Sequence, residues 1–345
     1  MLASNSSWIG QLLSLQGICD SHENIAVEMT SSRSHDLWRY FFEGSKLRKL
    51  SRSEGKLAPA SENAKGLRGS FLSPAGPSKE QRVTQVSEAE VAARWDDNAD
   101  QWAHDVRNGY DTYRELFTFP AFQAFLPSIA GLDVIDFGCG EGSNTRRFAE
   151  LGARMTGIDL SEKMIGHARE VEHHVPLSIR YEVASYTGDT GFEDASFDAV
   201  VSTMALMDGP DFPAAMREAF RLLRPGGFIA FSVLHPCFVT PGLQWHRDVK
   251  GKPTGLVVAR YFDQTNFVES WRFGDRPSDE DVVLFEVPRF PRTLSEYLNG
   301  IAHAGFRIVD VREPRPTPEA CVTIPRFARW RDLAAFVLMI RAVRA

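Results

Sequence analysis

An apolar run that breaks directly into an acid and three spaced glycines constrains this chain more than any other feature. Asp133 to Phe137 leads into Asp136, Phe137, Gly138, Cys139, Gly140, Glu141 and Gly142, the pattern D-x-G-x-G-x-G. A helical pattern from Asn144 to Leu151 follows, and then a second apolar run from Arg154 to Ile158. Together they predict a β-α-β unit with a bare turn after its first strand. A dinucleotide fingerprint asks for G-x-G-x-x-G, and its third glycine position holds Ser143 here. Glycine stands one residue earlier, at 142, which favours a ligand without phosphates over a nicotinamide or flavin nucleotide.

The alternation continues down the chain. Ser161 caps a helix over Lys163 to Val171, while Ile179 to Val183 and Phe197 to Ser202 read as strands. Helix Pro213 to Leu223 stops at Arg224, Pro225, Gly226 and Gly227, and strand Phe228 to Val233 follows. A helix over Thr293 to Ala304 and strands over Phe306 to Val311 and Ala335 to Val343 bring the strands to seven. The expected fold is α/β, a doubly wound, Rossmann-like seven-stranded sheet with ligands at the carboxyl ends of its strands. Two amphipathic helices precede it, one with Val91, Trp95, Ala99 and Trp102 at helical spacing, the other around Tyr110, Tyr113, Leu116 and Phe117. Residues 235–290 lose the rhythm and carry Trp245, His246, Tyr261, Phe262, Trp271 and Phe273 among Gly, Pro and charged residues. This insertion and the N-terminal helices are expected to form a lid, with Trp102, Tyr110, Tyr113, Trp245, Tyr261 and Trp271 over an apolar or aromatic acceptor.

Residues 1–85 have another texture, with fifteen serines and eleven Lys and Arg against eight Asp and Glu. Such a segment cannot offset its ordering entropy and reads as a disordered extension, with a mis-assigned start as one origin. A transit peptide is opposed by Asp20, Glu23, Glu28, Asp36 and Glu43. The working domain is then 86–345, with 28 basic and 37 acidic residues inside a whole-chain net charge of -6. That balance leaves no footprint for a polyphosphate backbone, so nucleic acid is not an expected partner. Cys19, Cys139, Cys237 and Cys321 contain no C-x-x-C pair, which implies neither a zinc cluster nor a disulfide framework and suits a reducing cytoplasm. No apolar run approaches the roughly 18 residues of a membrane span, and no metal-ligand spacing is present.

With these motifs the chain resembles the class I S-adenosylmethionine-dependent methyltransferases, over roughly residues 90 to 345, and specifically the small-molecule group related to the ubiquinone and menaquinone biosynthesis methylases. Two further strings match in place: Ser196 to Val201 leading the fourth strand, and Leu222 to Gly227 before the fifth. The resemblance implies S-adenosyl-L-methionine as cofactor. It implies that Asp136 reaches the methionine end, that Gly138, Cys139, Gly140 and Gly142 let backbone approach the ligand, and that Leu160 and Met164 line the adenine side. Asp159, ending the second strand, is placed to accept from the ribose hydroxyls. Family members usually carry Asp-Ala after the third strand; Ala184 and Ser185 stand there instead, with a hydroxyl in the acid's place. Thr203 and Met204, at the end of the fourth strand, complete the cofactor-side candidates. The string from Thr203 to Asp208 contains no Asn-Pro-Pro-Tyr-like motif, which disfavours methylation of adenine or glutamine amino groups.

Methyl transfer from a sulfonium is an in-line displacement in which positioning supplies most of the effect and a strong base is optional. His235, at the end of the fifth strand, is the candidate for accepting a proton from the acceptor. The expected activity is transfer of a methyl group to the oxygen, nitrogen or carbon of a small molecule. The alternatives are a non-catalytic protein that binds the same cofactor and a nicotinamide-dependent oxidoreductase; the second lacks a Tyr-x-x-x-Lys pair.

Overall fold

A computed structural model of the chain describes residues 86–276 and 283–345 in full and, ahead of them, the backbone of five strands. Two compact units are separated, Met1–Pro74 and Ala75–Ala345. In the first, Ile18–Cys19, Asn24–Thr30, Leu37–Glu43 and Lys46–Lys49 pair antiparallel in that order. Here the sequence predicts no sustained strand; short antiparallel pairs close through backbone hydrogen bonds and ask little of side-chain periodicity. Apart from Gln81–Arg82, the rest of the expected extension lies outside the described residues.

The second unit holds the seven-stranded sheet. Its strands are β1 (Asp133–Phe137), β2 (Arg154–Asp159), β3 (Arg180–Val183), β4 (Phe197–Thr203), β5 (Leu223–Leu234), β6 (Phe306–Arg312) and β7 (Val337–Arg344). They lie in the order β3-β2-β1-β4-β5-β7-β6, parallel except for β7, which runs antiparallel to both of its neighbours. The expected seven-stranded doubly wound sheet is therefore present. Successive residues of a strand face opposite sides, and both sides are dry. Ile135, Val200, Ile229 and Phe231 pack under helices α5 (Phe212–Leu222) and α6 (Leu294–His303), while Val134, Ala199, Val201 and Ala230 pack against α2 (Phe119–Phe125), α3 (Ser143–Glu150) and α4 (Glu162–His174). Burial on both faces is why these strands read as continuous apolar runs.

Several helix starts carry side-chain caps. Ser87 and Thr293 form capping boxes with Glu90 and Glu296, and Ser161 Oγ accepts from Met164 N–H at 3.1 Å. The first capped helix, α1 (Glu88–Arg107), is followed by a π-helical turn, Arg114–Thr118, that runs into α2. Inside the 235–290 insertion, Phe267–Trp271 pairs antiparallel with Phe285–Arg289 on one side and with Gln81–Arg82 on the other, and Gln244–Arg247 pairs with Pro253–Val257. Helix α1 lies along Phe285–Arg289, where the Asn98 side chain receives Glu286 N–H and donates to Glu286 O, each at 3.1 Å. Trp102 meets Trp271, Phe273 and Phe285 at centroid distances of 5.8, 5.0 and 5.3 Å, which binds the helix to the insertion. Among the described residues no helix is long and apolar enough to cross a membrane.

Candidate functional site

Strand β1 sits at the switch point: α3 carries the chain to β2 on one side, and β4 joins β1 on the other. A cavity of about 450 Å³ opens at the carboxyl ends of these strands, roofed by α1, the π-helical turn and the insertion.

The glycines of the loop have separate reasons. Gly138, Gly140 and Gly142 all have positive φ, at 72°, 55° and 86°, a region that disfavours any other residue. At Gly138 a Cβ would collide with Ala205 Cβ, and at Gly142 it would lie 2.6 Å from Tyr181 Oη. Nothing lies within 4 Å of that position at Gly140, which lines the cavity. Packing therefore requires the outer two, and the middle one leaves space for a ligand.

The carboxylates are held by backbone and by burial. Asp159 Oδ2 accepts from Gly140 N–H at 3.0 Å and Oδ1 from Ser161 N–H at 2.9 Å, while burial raises its carboxyl to about 6. Asp136 is fully buried and accepts from Thr145 Oγ1 at 2.7 Å; its Oδ1 has no partner, and burial raises it to about 7. Glu141 accepts from Trp102 Nε1 and from Arg114, both at 3.2 Å. Asn144 donates to Thr203 Oγ1 at 2.8 Å and leaves its own Oδ1 without a partner. Met204, beside Thr203, has φ 58°, a conformation strained for a side chain of its size.

Of the residues singled out in the sequence, Gly138, Cys139, Gly140, Asp159, Leu160, Met164, Thr203 and Met204 line the cavity, as do Trp102, Tyr113 and Trp271. Asp136 and Gly142 do not reach its wall. Neither do Ala184 and Ser185: Ser185 Oγ is spent on Thr187, at 2.9 Å from its hydroxyl and 3.1 Å from its N–H, and the adjacent Tyr186 forms the wall. Tyr110 packs with Val106, Phe273 and Phe285, Trp245 stands edge-on to Trp330 at 4.8 Å, and the Tyr261 hydroxyl accepts from Leu294 N–H at 2.9 Å at the start of α6.

His235 differs most from expectation. Its Nδ1 accepts from Cys237 N–H at 3.2 Å, so the ring proton is on Nε2, which donates to Glu313 at 2.7 Å. Burial lowers its pKa, and it is not in the cavity wall. With both nitrogens engaged, the ring joins the end of β5 to the chain after β6 and has no lone pair left for an acceptor's proton.

Sequence reasoning missed the charged walls. Arg114 lies between Glu115 and Glu141, at 3.1 and 3.2 Å, with Asp111 at 3.8 Å. Arg289 bridges Asp208 at 2.5 Å and Glu269 at 2.7 Å. Burial raises Asp111, and raises Asp208 to about 6. Glu141 sits inside the glycine motif and was legible there; the two arginines come from distant segments without a local signal.

Known proteins resemble this chain in sequence and fold. A family model described as a methyltransferase domain matches residues 135–231. The crystal structure of an S-adenosylmethionine-dependent methyltransferase from Mesorhizobium loti is 31% identical, with 66% of this chain and 97% of that one covered at a TM-score of 0.53. Malonyl-[acyl-carrier protein] O-methyltransferase of Pectobacterium atrosepticum is 32% identical over 127 residues, 36% of this chain and 48% of its own length. A ubiquinone biosynthesis O-methyltransferase of Methylococcus capsulatus is 35% identical over 134 residues, 39% of this chain and 52% of its own. The chain thus spans about half the length of these curated relatives.

Proposed function

This chain belongs to the class I S-adenosylmethionine-dependent methyltransferases, and on that premise we propose that it moves the methyl group of S-adenosyl-L-methionine to an oxygen, nitrogen or carbon of a small, partly apolar acceptor enclosed beside the glycine loop. The residues present suit the cofactor: Gly140 leaves a gap that a Cβ would fill, and Asn144 Oδ1 is a buried acceptor without a partner. Asp159 would hold the ribose hydroxyls, Leu160 and Met164 the adenine face with Tyr186 beside them, and Asn144 with the loop the amino acid portion. The bound cofactor supplies an electrophilic methyl group on a sulfonium.

The chain's own part is alignment. Trp102, Tyr113 and Trp271 wall the acceptor and exclude water, and holding a nucleophile in line supplies most of the rate. Asp111 and Asp208, carboxylates raised by burial in the same wall, suit receipt of the acceptor's proton.

The observation that carries this reading is the join of Gly140 N–H to Asp159 Oδ2, 3.0 Å apart at the switch point of the sheet. Calorimetry should show S-adenosylmethionine and S-adenosylhomocysteine binding the full chain at micromolar concentrations. Labelled methyl groups should then appear in the small-molecule fraction of a cell extract. Label on RNA, DNA or protein alone would overturn the acceptor class, and no heat with either ligand would overturn the cofactor.

A further inference from the structure

Four arginines line the cavity: Arg114, Arg272, Arg289 and Arg329. Arg114 and Arg289 are each answered by carboxylates within 3.2 Å. Arg329 is not. Among the described residues no carboxylate pairs with it; its one side-chain hydrogen bond is a long 3.4 Å donation to the Tyr113 hydroxyl, and its Nε has no partner. The rings of Trp245 and Trp330 lie 5.1 and 5.5 Å from its guanidinium carbon and keep it half-buried. Arg272, exposed at the same cavity, likewise has no carboxylate partner among the described residues. An ion pair between Asp275 and Arg326, Oδ1 to a guanidinium nitrogen at 2.8 Å, ties the segment of Arg272 to that of Arg329. The indole N–H of Trp271, in the same wall, also lacks a partner.

A guanidinium drawn half out of water and given no counter-charge is costly unless something supplies one. Resting on the methyltransferase reading above, we propose that the acceptor carries a carboxylate, which seats on the Arg329 fork beside Trp330. A planar fork matches a planar carboxylate through two parallel hydrogen bonds. A phosphate dianion fits less well, because Asp111 and Glu141 line the same cavity. Trp330, Trp271 and Tyr113, all in the cavity wall, favour an apolar or aromatic body behind the carboxylate.

The test uses the full chain saturated with S-adenosylhomocysteine and calorimetric titration of matched pairs: benzoate and benzamide, phenylacetate and phenylacetamide, indole-3-acetate and its amide, hexanoate and hexanamide, with phenyl phosphate alongside. At least one acid should bind tenfold or more tightly than its amide, and Arg329→Gln should abolish that preference while affinity for S-adenosylhomocysteine and the melting temperature stay unchanged. If Arg329→Gln is unstable, Arg329→Lys decides: a reduced preference for acids should persist with the charge, and its disappearance in a folded variant overturns the proposal. Equal binding of acids and amides, a preference that survives Arg329→Gln, or phenyl phosphate binding more tightly than every acid overturns it as well. Failure of S-adenosylhomocysteine to bind is seen before any acid is added and counts against the cofactor alone; the acid and amide comparison is then read on the free chain.

Discussion

The indole N–H of Trp102 donates to Glu141 at 3.2 Å, so a residue of α1 is fastened to the middle of the glycine loop. The other oxygen of the same carboxylate receives Arg114 from the π-helical turn. Roof and loop therefore share one side chain, and neither moves without disturbing the other.

Glu141→Ala should expose that coupling. Arg114 keeps Asp111 and Glu115, so the variant folds, with a loss of about 1–3 kcal/mol for the broken buried hydrogen bonds. Affinity for S-adenosylhomocysteine should fall three- to tenfold although Glu141 is assigned no contact with the cofactor. Scanning calorimetry and titration read the two effects, and an unchanged affinity would show that the roof and the cofactor loop are independent.

Two glycine variants should separate. Gly138→Ala drives a methyl into Ala205, so it should cost more than about 2 kcal/mol by overpacking and backbone strain. Gly140→Ala has room and should cost only about 1 kcal/mol for its left-handed backbone, yet abolish measurable cofactor binding because the methyl enters the ligand's space. Similar stability losses in both would contradict the division of roles.

Asp159, raised to about 6, takes up a proton in the folded chain at a pH where the unfolded chain has already lost its own. Its contribution therefore stabilises the free protein as pH falls from about 6 towards 4, and is lost as pH rises. Cofactor binding runs the other way, since ribose hydroxyls need the ionised acceptor, and affinity should drop below pH 6. Asp136 and Asp208 titrate nearby, at about 7 and about 6, so the comparison with Asp159→Asn is decisive. That variant should bind at least tenfold more weakly at pH 8 and lose most of the slope between pH 5 and 7; a slope equal to wild type would assign it to the other acids.

Replacing His235 by Ala should act on stability. Removing its two bonds and ring costs about 1–3 kcal/mol, while turnover stays within threefold because the ring is not in the cavity wall. A hundredfold drop in kcat with an unchanged melting temperature would restore the ring as a base.

A chain beginning at Ala75 should keep the melting temperature and ligand affinity of the whole protein, because that unit contains the sheet, the roof and the cavity. One beginning at Val86 removes Gln81–Arg82, the edge partner of Phe267–Val268, and should weaken acceptor binding more than cofactor binding. Equal behaviour of the two would place the boundary at 86.

The sheet and its cofactor side were readable because buried parallel strands, capped helices and left-handed glycines each impose their residues locally. Asp159 was legible as a wall residue because it terminates a strand next to that loop. The acceptor side was not, since its residues meet only in three dimensions: Glu269 and Arg289 sit on short strands whose charges face the cavity and break the alternation that marks a strand, and Arg329 follows the loop by almost two hundred residues. Ser185 does not line the cavity, for a related reason. The turn after β3 needs its hydroxyl at home, on Thr187, and turns the next side chain, Tyr186, to the wall.

Strand β7 runs between β5 and β6, although the chain makes it last among the seven. Until Val337–Arg344 has been synthesised, β5 presents an open edge and β6 has no neighbour in the sheet. The glycine loop and Asp159, by contrast, belong to strands complete by residue 203. During synthesis the cofactor half can therefore assemble well ahead of the sheet's other edge, which leaves an exposed strand as the hazard a ribosome-bound chain must be protected from.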